Sequence, residues 1–238
     1  AIAGDIDPDA TLALVEKYFG PIAPGTVPER PAPAPVVLRG ETRVEMEAGV
    51  QLPRLIVRWV TPPYFAPGDS DLDLLARVLT GGKSSRLYKR LVYDDQIAQD
   101  VSSYQASQQL GSSFEVVATA KPGHTPEELV AAIDQELARV RDKGVSAAEL
   151  ERARTAFIAH EAFGLESVSA QADDLDSFAH YTGDPGFLPK DIARYEGATL
   201  ATVQDAARTW LPADRRVVAI VRPAKDAPLA GRLVRRVP

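Results

Sequence analysis

Apolar residues along this chain recur with two periods, and the alternation between them outlines the elements. A helical spacing of Leu12, Val15 and Phe19 follows Asp7-Pro8-Asp9, with Asp7 as N-cap and Pro8 at the first helical position. Short β-branched runs predict strands at Val36–Leu38, Val44–Met46 and Leu52–Val60, the last ended by Thr61-Pro62-Pro63. The helical period returns at Leu72, Leu75, Val78 and Leu79, predicting a helix over 70–80, and again through Leu87 and Leu91, predicting one over 84–93. Ile97–Gln105 and Ser113–Thr119 read as an antiparallel pair. Two capping boxes, Thr125-Pro-Glu-Glu128 and Ser146-Ala-Ala-Glu149, open helices to about Asp142 and Phe163. Further helices are predicted over 167–181, 189–195 and 199–211, and a last strand over 216–221. Strands, paired helices, strands, then a run of helices and a closing strand predict an α+β layered domain. Its sheet should be largely antiparallel, with helices on one face.

From Pro21 to Pro35 there are six prolines in fifteen residues, a stiff extended linker and the best domain boundary in the chain. Residues 36–238 then form one domain. Residues 1–20 read as the closing strand and helix of a preceding, similar domain, because Ile2–Ile6 weakly echoes Val217–Val221. With Ala1 in place of an initiator Met and no signal-peptide pattern, the expectation is a fragment of a longer polypeptide.

Composition narrows the function classes. A net charge of −6 and a pI near 5.2 argue against a nucleic-acid surface, and the basic tail Arg232, Arg235, Arg236 reads as a solvated end. No apolar run approaches the roughly 20 residues of a membrane span. Zero cysteines exclude disulfides and thiolate metal sites and are compatible with the periplasm.

Candidate chemistry concentrates in Leu79–Tyr88, L-T-G-G-K-S-S-R-L-Y. Gly81 and Gly82 close one helix, and Ser84 or Ser85 opens the next as a cap. Gly82-Lys83-Ser84 ends like a phosphate-binding loop, but the first glycine of G-x-x-x-x-G-K-[ST] falls on Arg77 and the preceding segment is helical rather than a strand. A nucleotide binder is therefore a remote reading. Of the three histidines, His160-Glu161 comes nearest a metal motif, with His180 on another predicted helix; solvated helix residues are the plainer reading, and His124 lies in a loop. No metal ligand set and no catalytic residue is visible. Asp69, Asp71 and Asp73 read as caps and dipole partners, Asp173, Asp174 and Asp176 as a solvated face, and Trp59 and Trp210 as core or interface anchors.

The opening G-D-I-D-P-D with its helix ending K-Y-F-G, the proline linker, the central G-G-K-S-S-R-L-Y, and E-L-E-R-A-R over 149–154 resemble the insulinase/pitrilysin-type zinc metallopeptidases, which include the mitochondrial processing peptidases. The resemblance covers essentially the whole chain in the right order. It implies two similar α+β domains per subunit, paired into a clamshell that encloses an unfolded peptide. Zinc is then expected in the preceding domain, on an H-x-x-E-H motif that this chain lacks. The implied role is a non-catalytic C-terminal domain that completes the peptide chamber and docks the catalytic domain. A catalytically inactive structural or assembly subunit is the alternative. Expected partners are the preceding catalytic domain, an unfolded peptide and a second family subunit. Gly81, Gly82, Ser84, Ser85, Arg86 and Tyr88 are the substrate-binding candidates. Against them stand a plain helix C-cap for the glycines, a pairing of Arg86 with a helix-end carbonyl, and a core position for Tyr88. The family's L-R-x6-Y pair, which touches substrate, falls on Val92 and Gln99 and is absent. That loss points to a zinc-bearing subunit whose partner supplies the pair. Alanine- and arginine-rich usage points to a bacterium of high genomic GC, and the family resemblance then implies a periplasmic or envelope protein.

Overall fold

The computed structural model describes residues 1–26, 28–29, 36–228 and 231–237. Along the chain the elements are α1 (Pro8–Phe19), β1 (Thr42–Ala48), β2 (Arg54–Thr61), α2 (Asp69–Thr80), a π-helix (Tyr88–Asp94), β3 (Ala98–Ala106), β4 (Ser112–Ala120), α3 (Pro126–Lys143), α4 (Ala147–Gly164), α5 (Val168–Thr182), α6 (Leu188–Glu196), α7 (Leu200–Trp210), β5 (Val217–Pro223) and β6 (Arg232–Val237). The strands form one sheet in the order β3-β4-β2-β5-β1-β6. Every neighbouring pair is antiparallel except β1 with β5. This is the expected α+β architecture.

Strand alternation decides which face is covered. In β2, Leu55, Val57, Trp59 and Thr61 are buried while Arg54 and Arg58 are exposed. The buried set meets α3 and α7, and α2 packs against β3. Trp59 lies edge-on to Phe114 of β4, ring centroids 6.2 Å apart, and its Nε1–H donates to the Pro212 carbonyl at 2.8 Å. The indole thus brings a full apolar payload into the core without stranding its polar atom. Helix α2 buries Leu72, Leu74, Leu75, Val78 and Leu79, each worth about 1.5–3 kcal/mol, which makes it the central helix of the layer. Both capping boxes form. Thr125 Oγ1 and Ser146 Oγ accept from Glu128 and Glu149 N–H, and each glutamate accepts the N–H of its cap residue.

On the opposite face of the sheet, marked by Arg54 and Arg58, register builds a polar cluster. Arg58, Glu115 and Tyr104 are directly opposed across β2, β4 and β3. Glu115 accepts from the Tyr104 hydroxyl at 2.8 Å and pairs with Arg58 at 2.6 Å, which satisfies a carboxylate that is only 5% exposed.

Four expectations change. Val36–Leu38 is not a strand; both valines are exposed, and among the described residues none hydrogen-bonds their backbone. The basic tail is solvated along its length as expected, but it forms a strand, β6, paired with the free edge of β1 and tied by Arg232 to Glu47. Its sequence R-L-V-R-R-V lacks clean alternation, and a bulge at Glu45/Met46 accommodates it. The helix over 84–93 is largely a π-helix. Residues 1–7 form no strand, since no described strand lies beside them to complete the hydrogen bonds. Helix α1 forms as expected with its Asp7 cap, yet none of its residues is buried, and Leu12, Tyr18 and Phe19 are 65%, 65% and 64% exposed. The linker reading falls partly outside the described residues, at Val27 and 30–35.

Candidate functional site

The Gly81–Tyr88 segment is built by the end of α2. Gly81 N–H donates to the Arg77 carbonyl at 2.7 Å. A Cβ at Gly81 would sit 2.5 Å from that oxygen, so the helix end itself requires glycine. Gly82 adopts φ +134°, a backbone conformation that favours glycine, but its missing Cβ faces open space. The expected serine cap does not form. Ser85 Oγ donates back to the Gly82 carbonyl, and Ser84 is exposed. The chain then enters the wide π-helical turn, with Asp95 N–H donating to Arg90 O, so that Leu87 and Leu91 are both fully buried while Tyr88 and Val92 pack partly on the core. Such turns are common at functional sites.

Arg86 is not free. Its Nε and Nη2 donate to the two oxygens of Glu149 at 2.6 and 2.7 Å, and Nη2 also reaches the Gly144 carbonyl at 3.3 Å. The carbonyl pairing expected of Arg86 is present, alongside a bidentate carboxylate that sequence reading did not anticipate. Glu149 also accepts from Ser146 N–H and Oγ, both at 2.8 Å. Hydrogen bonding from Arg86, then from Ser146, outweighs burial and holds its carboxyl down at about 2. The glycine motif and the E-L-E-R-A-R motif are therefore two sides of one construction. From the latter, Glu149 clamps Arg86, and Arg154 donates to the Tyr195 and Ala198 carbonyls, anchoring α6.

Two hollows flank the loop. A small, partly open cavity of about 50 Å³ lies between the end of α2 and α4, lined by Arg77, Val78, Gly81, Ser84, Ser85, Glu149, Arg152, Ala153 and Ala156. On the other side, Lys83, Ser84, Tyr88, Lys89, Val92 and Tyr93 form an open, mostly apolar shelf. Of the six substrate-binding candidates, Gly81, Ser84 and Ser85 line the cavity and Ser84 and Tyr88 the shelf. Gly82 lies between them, and Arg86 is turned inward as a strut.

A sequence profile described as the peptidase M16 inactive domain matches residues 1–157, two-thirds of the chain. The chain belongs to the peptidase M16 inactive-domain family. It is 25% identical over 185 residues to the zinc protease PqqE of Helicobacter pylori, covering 76% of this chain and 40% of that protein. A crystal structure of a protease from Helicobacter pylori superposes with a TM-score of 0.81 at 22% identity, over 93% of this chain and 54% of that one. The peptidase M16 inactive domain from Pseudomonas fluorescens gives a TM-score of 0.78 at 16% identity, over 93% and 52%. The chain thus spans about half the length of these relatives, and at these identities the two solved structures establish the fold alone.

For an M16 domain the question is whether this half could hold zinc. Among the described residues no group of three or more His, Asp or Glu side chains converges as a metal site. His160 and His180 are exposed on α4 and α5, and His124 Nδ1 sits 3.4 Å from Glu128 Oε2 beside the α3 cap. These residues do not fit the metal. At the positions of the absent L-R-x6-Y pair, Val92 packs against the core and Gln99 is exposed on β3. Arg90, two residues earlier, is tied to Glu136, Asp95 and the Ala132 carbonyl, so it is no substitute.

Sequence reading missed a second polar network, behind the aromatic residues of the β2–α2 loop. Asp69 is fully buried and accepts from Arg194 at 2.9 Å, Phe65 N–H at 3.1 Å, Ser107 at 2.6 Å and Gln105 at 3.2 Å. Asp73 accepts from the Tyr195 hydroxyl at 2.8 Å, and Asp71 from Thr202 at 2.6 Å. These acids fasten α2 to α6 and α7 rather than acting as simple caps. The helix N-cap is Gly68, without a side-chain bond. Burial, reinforced by Asp69, pushes the Asp73 carboxyl up to about 7. The spacing of Asp69, Asp73 and Arg77 on one helical stripe was the available signal. Their partners on α6 lie more than a hundred residues away.

Proposed function

We propose that this chain is the non-catalytic second domain of a bacterial zinc metalloendopeptidase subunit, and that its Arg58-bearing sheet face and glycine loop form part of the wall of a peptide chamber. The observation that carries the reading is the inactive-domain profile match, joined to a domain in which no metal ligand set converges among the described residues. In this reading residues 1–20 close a preceding catalytic domain that holds the zinc, and α1, with its apolar residues exposed, packs there. The Arg58-bearing sheet face supports a chamber wall chemically. It presents a neutralised Arg58–Glu115–Tyr104 cluster beside the partly exposed Ile56, a mixed surface that lets an unfolded peptide slide without trapping it. A partner subunit supplies the arginine–tyrosine pair missing at Val92 and Gln99. The lack of cysteine is compatible with the periplasm or envelope as the compartment.

The test is reconstitution. The purified chain is assayed for zinc by mass spectrometry and for cleavage of a quenched fluorescent peptide library, alone and as part of the full-length polypeptide. The expected result is no stoichiometric zinc and no cleavage by the chain alone, with chelator-sensitive cleavage by the full-length protein and its partner subunit. Cleavage by the pure chain that is lost on chelation overturns the reading. A full-length assembly without zinc or cleavage replaces it with an inactive structural subunit.

A further inference from the structure

The small cavity between the glycine loop and α4 is chemically lopsided. Its floor is small and apolar, from Val78, Gly81, Ala153 and Ala156, and its polar wall brings together Arg77, Arg152, Ser84 and Ser85. Among the described residues neither Arg77 nor Arg152 forms an ion pair, whereas Arg86, Arg90, Arg154 and Arg194 around them all do. Glu149 is the one carboxylate in the wall, and it does not neutralise them. Both its oxygens are already taken by Arg86 and by Ser146. The charge of Arg77 acts to lower the carboxyls of Asp73 and Glu161, and among the described residues it pairs with neither. Arg77 is held in place by stacking over Phe157, its guanidinium 5.6 Å from the ring centroid. Ser85 spends its hydroxyl hydrogen on Gly82 O, which leaves the Ser84 hydroxyl as the additional donor at the mouth.

Two unpaired guanidinium groups, a hydroxyl donor and about 50 Å³ of space suit one compact oxyanion. The volume is too small for a nucleotide or an aromatic side chain and sufficient for a carboxylate group. We propose that this cavity is a carboxylate subsite that receives an acidic side chain of an extended peptide lying along the glycine loop. The proposal rests on the reading of that loop as a peptide-facing surface and adds to it a preference for substrates with Asp or Glu at one position. The Gly82 turn matters for this role because the chain there carries no side chain to block the approach. Arg86, as the strut that occupies Glu149, is a positioning residue that keeps the wall cationic.

The chain itself is titrated at low ionic strength with N-acetyl-Leu-Glu-amide, with the neutral N-acetyl-Leu-Gln-amide, and with inorganic phosphate, followed by calorimetry and by NMR shifts at Ser84 and Arg152. The expected result is saturable binding of the acidic peptide only, localised to those residues. Arg152→Gln, an exposed change, and Arg77→Gln should each weaken it about tenfold, in line with loss of a charge-assisted hydrogen bond. Arg208→Gln, on the exposed side of α7, should leave binding unchanged. Equal binding of the neutral peptide, insensitivity to both variants, or phosphate binding at least tenfold tighter than the acidic peptide each overturns the carboxylate subsite. Because no cleavage is measured, such a failure leaves the chamber reading standing, and an inactive full-length protein leaves this titration valid.

Discussion

Replacing Glu149 with Gln tests the strut on which the glycine loop rests. The carboxylate accepts four hydrogen bonds, two from Arg86 and two from Ser146, and its side chain is 20% exposed. Those bonds hold its carboxyl at about 2 in the folded protein, against an ordinary 4.5. At roughly 1.4 kcal/mol per pH unit, the displacement corresponds to about 3 kcal/mol of folding stability. Because the folded value is depressed, that stability is fully present above pH 4.5 and is lost as the pH falls towards 2. Glutamine keeps the shape and one acceptor oxygen, so it removes mainly the charge. The assay is urea unfolding of the native chain and of Glu149→Gln at a series of pH values between 7 and 2, read as the difference between their unfolding free energies. The variant should be about 2–3 kcal/mol less stable at pH 7, with the gap closing steadily below pH 4.5. A gap under about 0.5 kcal/mol at pH 7, or one of constant size down to pH 2, refutes the reasoning, since either result means that Arg86 and Glu149 are screened like a surface pair.

Asp73 should behave in the opposite sense. Its carboxyl is raised to about 7 by burial, so the folded state binds the proton more tightly than the unfolded chain, and stability should rise as the pH is lowered from 8 towards 4. Asp73→Asn should therefore be about 1 kcal/mol or more stabilising at pH 8 and near neutral at pH 4; equal urea midpoint shifts at both pH values would contradict the assignment. Gly81→Ala forces a Cβ to 2.5 Å from the Arg77 carbonyl and should cost about 1–3 kcal/mol, whereas Gly82→Ala pays only for its φ of +134° and should cost about 1 kcal/mol. Thermal unfolding should rank Gly81→Ala below Gly82→Ala, with both below the native chain. Phe114→Ala empties the edge-on partner of Trp59 and should cost about 3–5 kcal/mol by chemical denaturation; a loss below 1 kcal/mol would mean that β4 is not part of the central core.

Local physics made most elements legible. Pro8 after Asp7, the two capping boxes and the alternation of β2 are decided by a few neighbouring residues, because a cap or a strand face is satisfied within one turn or one pleat. The π-helix was not legible, since Leu87 and Leu91 have the same spacing in either helix and the wider turn answers to burial against the rest of the core. Nor was β6, whose Arg-rich sequence becomes a strand only because β1 offers a free edge.

By itself, then, the sequence determined the α+β class, most helix boundaries and the membership implied by its glycine and E-L-E-R-A-R motifs, because each depends on short-range pattern. The tertiary structure alone decided what those motifs do. It turned Arg86 from a substrate-facing candidate into a strut on Glu149, turned Asp69 and Asp73 from caps into fasteners of α6, and left Arg77 and Arg152 unpaired around a cavity. Charge pairing is set by distance in space. Which of two arginines is neutralised and which is not depends on partners scores of residues away, and only the folded chain brings them within reach.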